Sequence, residues 1–158
     1  IPAYADEETV RRMRQRFGYV FAGQDGYPTI LALDTLDRVR MCAGIGIRHC
    51  RMPHGSMDST AFRFDCGGKS VGYAVDFNTI TREMVDLFSG VDVLAVDCLR
   101  RDPHPTHCHL AMSLELIEAV RARTGILTHL DKSLDYATLQ AEVPAQVLVG
   151  YDGLEVVA

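Results

Sequence analysis

Val71-Gly72-Tyr73-Ala74-Val75-Asp76-Phe77-Asn78-Thr79-Ile80 is the stretch that decides how the chain is read. Five mostly apolar residues run into one carboxylate, and a turn and a helix-like segment follow. An apolar run of this kind reads as a buried strand. Asp76 therefore stands where a buried strand leaves its sheet, a place where layered α/β folds gather ligands and catalytic groups. A plainer reading is equally open, because Asp is favoured in turns and at strand ends. Three other stretches look built to converge on the same point: Pro53-His54-Gly55, residues 104–109 and Thr128-His129.

Upstream of this stretch the pattern predicts antiparallel β-structure. Residues 29–36 and 45–52 read as strands, with Pro53-His54-Gly55-Ser56 interrupting the second. Residues 61–65 alternate Phe62 and Phe64 against Arg63 and Asp65, and Cys66-Gly67-Gly68-Lys69 turns the chain into residues 70–75. This is a β-meander ending at Asp76. Nearer the start, Asp6-Glu7-Glu8 precede a helix over residues 9–17. Acids at its start and Arg11, Arg12, Arg14 and Arg16 beyond them match the helix dipole. Residues 18–28 read as a loop, either packed cover or lid, with Gln24-Asp25-Gly26 as its turn.

Downstream the texture alternates. Residues 81–88 are a short amphipathic helix, and 91–96 an apolar strand ending at Asp97. Leu110, Leu114, Ile117 and Val120 mark a helix over 110–123. Residues 125–127 form a short buried strand running into Thr128-His129. A helix over 134–142 and closing strands at 146–149 and 154–157 complete the chain. The expected class is α/β in layers, in one domain over residues 1–158.

With 158 residues the chain is long enough to bury a sizeable core. A formal charge of −5 gives no sign of a polyanion-binding surface, so nucleic acid is a poor first expectation. No run approaches the roughly 20 apolar residues that cross a bilayer, and no basic-then-apolar leader opens the sequence. Cys42, Cys50, Cys66, Cys98 and Cys108 are odd in number and form no Cys-x-x-Cys pair. That argues against a disulfide framework or a cysteine zinc knuckle and suits a reducing cytoplasm.

His54 follows Pro and precedes Gly, which lets backbone or ligand come close. His129 ends a buried strand. Together with Asp76 and Asp97 these residues form a mixed nitrogen and oxygen donor set. It fits zinc, manganese or iron better than calcium or copper. His104-Pro105-Thr106-His107-Cys108-His109 is the densest histidine cluster and lies just before a helix start, where anions bind. Histidine is suited to donating a proton near neutral pH. Cys108 has no evident partner to make it a nucleophile.

Seven motifs occur in one order: Ile1-Pro2-Ala3-Tyr4-Ala5-Asp6, Pro53-His54-Gly55, Tyr73-Ala74-Val75-Asp76, Asp97-Cys98-Leu99-Arg100, His104-Pro105-Thr106-His107, Leu127-Thr128-His129-Leu130 and Tyr151-Asp152-Gly153-Leu154. That order resembles the C-terminal part of a metallo-β-lactamase-fold hydrolase. The branch is that of the phosphoribosyl cyclic phosphate phosphodiesterase, with ribonuclease Z a more distant relative. The resemblance implies an αββα sandwich with two divalent metal ions, zinc or manganese, at one edge of the sheets. It implies His54 on the first metal, Asp76 bridging both and His129 on the second. His107 is then the catalytic, substrate-side histidine, with His104 a less certain substrate contact and Asp97 a structural or second-shell residue.

The family's His-x-His-x-Asp-His motif, which supplies four ligands in relatives, does not occur in these 158 residues. The expectation is therefore an incomplete C-terminal portion of a longer enzyme, and the absence of an initial methionine agrees with it. Such a piece holds at most one metal, weakly, and is inactive alone. In complete form it is expected to be a phosphodiesterase acting on a small (cyclic) phosphodiester. Two alternatives stand beside this: a non-catalytic fragment or degenerate subunit acting through association, and a tRNA-processing nuclease. Half a sandwich leaves a sheet face uncovered, so self-association or a homo-oligomer is expected.

Overall fold

The computed structural model describes residues 1–23 and 26–158. Gln24 and Asp25, on which the expected 24–26 turn rests, lie outside the described residues. The chain forms two compact units, Ile1–Ala43 and Gly44–Ala158.

In the first unit, β1 (Pro2–Ala5) pairs in parallel with β2 (Ala32–Thr35), Pro2 opposite Ala32 and Ala5 opposite Thr35. The crossover contains α1 (Glu7–Ala22), and a 3₁₀ turn (Leu36–Arg38) and β3 (Met41–Cys42) close the unit. Asp6 caps α1, its carboxylate accepting from the Thr9 amide. The helix is longer than the 9–17 expected. It breaks its geometry at Phe17 and resumes through Gly18 to Ala22, so residues 18–22 are helix, not loop. No proline interrupts that segment. It stops at Gly23, whose φ of 69° favours glycine and whose added Cβ would lie 2.7 Å from the Tyr27 carbonyl oxygen. Arg11 and Arg12 pair with Glu8, and Arg14 donates to the Leu33 carbonyl at 2.8 Å.

In the second unit six strands lie side by side in chain order: β4 (Ile45–His54), β5 (Met57–Cys66), β6 (Lys69–Ala74), β7 (Val93–Asp97), β8 (Thr124–Thr128) and β9 (Val147–Val149). β4, β5 and β6 form the expected antiparallel meander, and β6 to β9 pair in parallel. Pro53 and His54 do not interrupt β4 but complete it. Pro53 pairs opposite Asp58 and His54 opposite Met57, so Gly55-Ser56 is a two-residue hairpin turn with Gly55 at φ 63°. Gly67 and Gly68 make the second hairpin turn, both at positive φ, as a primed turn demands.

The helices α2 (Arg82–Phe88), α3 (Leu110–Ala119) and α4 (Tyr136–Glu142) supply the other half of the core. Met84, Phe88, Leu116, Ile117 and Leu139 are buried with Ala74, Leu94, Val96, Leu127 and Val149 in one cluster. Two glycines let helices approach the sheet. A Cβ on Gly72 would meet Phe88 at 2.7 Å, and one on Gly125 would collide with Ile117. Along β6, Ser70, Gly72 and Ala74 are buried while Val71 and Tyr73 face outward, 38% and 46% exposed.

α3 ends at Ala119 rather than near 123. Arg121 takes a left-handed φ of 54° and the Ala122 amide reaches back to the Ile117 carbonyl, which closes the helix. The strand expected at 154–157 does not form. The Leu154 amide turns back to the Tyr151 carbonyl, and β9 remains the last strand of the sheet. No helix among the described residues is long and apolar enough to cross a membrane.

Candidate metal centre

Three neighbouring parallel strands deliver the site. Asp76 lies two residues past the end of β6, Asp97 is the last residue of β7, and His129 follows β8. The backbone strain is local. Asp76 has φ 67° and His129 φ 61°, in the left-handed region that side chains other than glycine rarely occupy. Such conformations cost on the order of 1–3 kcal/mol and persist where surrounding contacts over-determine them. Here the contacts are visible. The Asp76 amide donates to Asp97 Oδ2 at 3.1 Å, and Ser59 Oγ donates to the Asp76 carbonyl at 2.5 Å. On either side of His129, the Cys98 amide bonds the Thr128 carbonyl and the Asp131 amide bonds the Leu99 carbonyl, each at 2.9 Å.

The histidine-rich loop folds against these strand ends. His104 Nδ1 accepts from the amides of Thr106 at 3.3 Å and His107 at 3.2 Å, so its proton sits on Nε2. Burial, then the charges of Arg100 and His107, push the His104 imidazole below its ordinary value and favour its neutral form. His107 Nδ1 lies 3.2 Å from Asp97 Oδ2 and 3.4 Å from Asp76 Oδ1. His54 donates from Nδ1 to the Thr106 carbonyl at 2.7 Å, since a carbonyl only accepts. That leaves the lone pair of its Nε2 available to a ligand. The rings of His54, His104 and His129 all surround His107, with centroids 4.7, 5.1 and 4.9 Å from it. His109 caps α3 through its backbone, and its Nδ1 is buried without a hydrogen-bond partner among the described residues.

Asp76, Asp97, His107 and His129 each offer one ligand atom, all within 4.8 Å of one another. His54 lies beside this group through its contact with His107 rather than within it. Asp76 Oδ1 and His129 Nε2 are 3.5 Å apart, longer than an ordinary N–H···O bond. Two donors each about 2.1 Å from a shared tetrahedral ion stand roughly 3.4 Å apart, so the spacing suits a metal between them. Asp97 is fully buried, yet its Oδ1 has no hydrogen-bond partner among the described residues and lies 3.7 Å from His129 Nδ1. A buried carboxylate oxygen left this way is costly, and positive charge nearby offsets the cost. The donor set therefore fits a divalent transition metal such as zinc or manganese.

Asp97, expected from the sequence to be a structural or second-shell residue, stands behind the site: its carboxylate accepts from the Asp76 amide and faces the rings of His107 and His129. The available signal was the apolar run before it, the same pattern that singled out Asp76. Cys108 is buried beside Ser113, and burial pushes its thiol up to about 12, so it supplies no thiolate at neutral pH. A cavity of about 390 Å³ opens beside His129, walled by Tyr73, Thr128 and Tyr151.

The model of the β-lactamase superfamily domain matches residues 1–130. No curated protein matches the chain significantly. Among solved structures, a diphosphatase of the PhnP family is 27% identical with a TM-score of 0.82, covering 98% of this chain and 56% of that one. Zinc-bound PqqB from Methylobacterium extorquens is 14% identical with a TM-score of 0.73, covering 98% of this chain and 64% of that one. The short form of human tRNase Z is 15% identical with a TM-score of 0.65, covering 98% of this chain and 66% of that one. The last two show the fold alone, and the chain spans between half and two-thirds of the length of all three. With a mixed α/β fold of this type and a family match over most of its length, the chain belongs to the β-lactamase superfamily of metallo-β-lactamase-fold proteins.

Proposed function

We propose that the chain carries part of the active site of a dinuclear metal-dependent hydrolase that cleaves small phosphodiesters, cyclic ones included. The observation that supports this most is the Asp76 carboxylate, whose Oδ1 faces His107 Nδ1 on one side and His129 Nε2 on the other. Asp76, His129 and, through Nε2, His54 would hold metal. A bound divalent ion supplies Lewis-acid polarisation of the phosphoryl oxygens and neutralises developing charge.

The remaining work falls to the chain's own groups. With Nδ1–H donating to Asp97, His107 presents Nε2 to the substrate side. Protonated there, it delivers that proton to the leaving oxygen, while the buried Asp97 carboxylate stabilises the imidazolium and fixes the ring. His104 keeps Nδ1 occupied and has its Nε2–H left for a phosphate oxygen.

The His-x-His-x-Asp-His motif is not among these residues. This chain is accordingly expected to hold one metal weakly and to turn over little without that segment. The half-exposed apolar Val71 and Tyr73 support the further reading that it self-associates, which sedimentation tests: a clean monomer contradicts it. The activity test loads the protein, supplied with the missing motif, with zinc or manganese. It then compares a ribose cyclic phosphate, bis(4-nitrophenyl) phosphate and a precursor tRNA. Metal-dependent cleavage of the small diesters supports the proposal. Cleavage of the tRNA alone would move the assignment to the nuclease branch, against which the charge of −5 counts.

A further inference from the structure

We propose that Asn78 is a positioning residue for His107, acting by fixing the peptide planes that lead into it. This rests on the reading of His107 as the proton-transferring group. Asn78 lies two residues past Asp76, behind the fully buried Phe77. Its backbone amide donates to the Pro53 carbonyl at 2.9 Å, immediately before His54. Its side-chain Nδ2 donates to the Pro105 carbonyl at 2.6 Å, in the middle of the histidine-rich loop. The next carbonyl, that of Thr106, is captured by His54 Nδ1. Both carbonyls ahead of His107 are therefore held from outside the loop. The His107 amide is held from inside it, by His104 Nδ1. With its preceding peptides fixed, His107 has its Nδ1 brought to Asp97.

A second observation points beyond simple stability. Asn78 Oδ1 is buried and makes no hydrogen bond among the described residues. The amide orientation is set by chemistry, because the reverse one would put Oδ1 against the Pro105 carbonyl oxygen. The residue thus leaves a buried acceptor unsatisfied in order to place a donor on Pro105. Residues that break a local rule in this way are expected at functional sites.

The test is imidazole nitrogen NMR on the metal-free chain at neutral pH, comparing wild type with Asn78→Ala and Asn78→Asp. The aspartate is close to isosteric, cannot donate when ionised, and serves if the alanine variant fails to fold. The folded variants are expected to keep native circular dichroism. The His107 Nδ1 proton should lose its hydrogen-bonded signature and exchange about tenfold faster, the equivalent of one weakened charge-assisted bond. His129 should keep its wild-type signals. A folded variant with an unchanged His107 spectrum overturns the proposal, as does equal disturbance of all the histidines, which marks a merely structural residue. Because no metal or turnover enters the readout, failure of the hydrolase reading would be seen separately, in metal binding.

Discussion

Gly55→Ala tests how closely the hairpin tip and the histidine loop are fitted. Gly55 has φ 63°, and a Cβ there would lie 2.6 Å from Thr106 Cγ2 and 3.5 Å from Thr106 Cβ. The left-handed backbone costs a non-glycine residue roughly 1–2 kcal/mol. The methyl contact falls about 1 Å short of carbon–carbon van der Waals separation. Thr106 does not rotate away freely, because its branched side chain is stiff and its Oγ1 lies 3.2 Å from His104 Nδ1. The loop must therefore retreat by about 1 Å, and overpacking of this kind adds about 1–3 kcal/mol. The expected total is about 2–5 kcal/mol of stability, or roughly 4–20 °C in Tm for a chain of this size. In the complete enzyme a 1 Å misplacement is expected to cost about 10²-fold in turnover. The assay is urea unfolding of Gly55→Ala, Thr106→Ser and the double variant. Thr106→Ser removes Cγ2 but keeps the hydroxyl, so the double variant should regain the contact component and retain only the backbone cost. Equal destabilisation by Gly55→Ala in both backgrounds would refute the steric reasoning.

Other perturbations separate roles within the site and the fold. His107→Ala should leave metal binding intact and slow hydrolysis in the complete enzyme by about 10²–10⁴-fold. Loss of metal instead would move His107 into the ligand set. Gly125→Ala drives a methyl into Ile117 and should cost about 1–3 kcal/mol by thermal melting, partly restored by Ile117→Val. The Asp92 carboxyl is held below its ordinary value by the Arg123 guanidinium and by the Ser70 hydroxyl and amide. A depressed folded pKa gives stability that is complete above about pH 4 and lost as pH falls through the folded value. Asp92→Asn should therefore destabilise the chain at pH 7 and flatten its acid unfolding curve. An unchanged acid limb would contradict the clasp.

The sheet was legible because its pattern is repeated at several levels. The alternation of Phe62 and Phe64, the paired Gly67-Gly68 turn and the apolar runs into Asp76, Asp97 and His129 each name a strand or its end. The helix over 110–119 was visible in its spacing, but its stop was not. Arg121 carries no glycine signal for the left-handed closure it makes. Gly18 and the aromatics after it read as loop, yet the helix resumes past its kink at Phe17 and runs to Ala22. Pro53 looked like a break because proline lacks a donor, whereas at a hairpin end its carbonyl is what matters, and Asn78 takes it. The contacts of Asp97 were not legible for a different reason. Sequence shows a carboxylate at a strand end but not the backbone amide and two imidazoles that its two oxygens will meet.

The most direct measurement is equilibrium titration of the chain with zinc and with manganese, followed by metal analysis after dialysis, for wild type, Asp76→Asn, His129→Ala and His107→Ala. One weakly held ion is expected in wild type and in His107→Ala, and none in Asp76→Asn or His129→Ala, with all four proteins folded. Binding that survives Asp76→Asn unchanged would contradict that expectation.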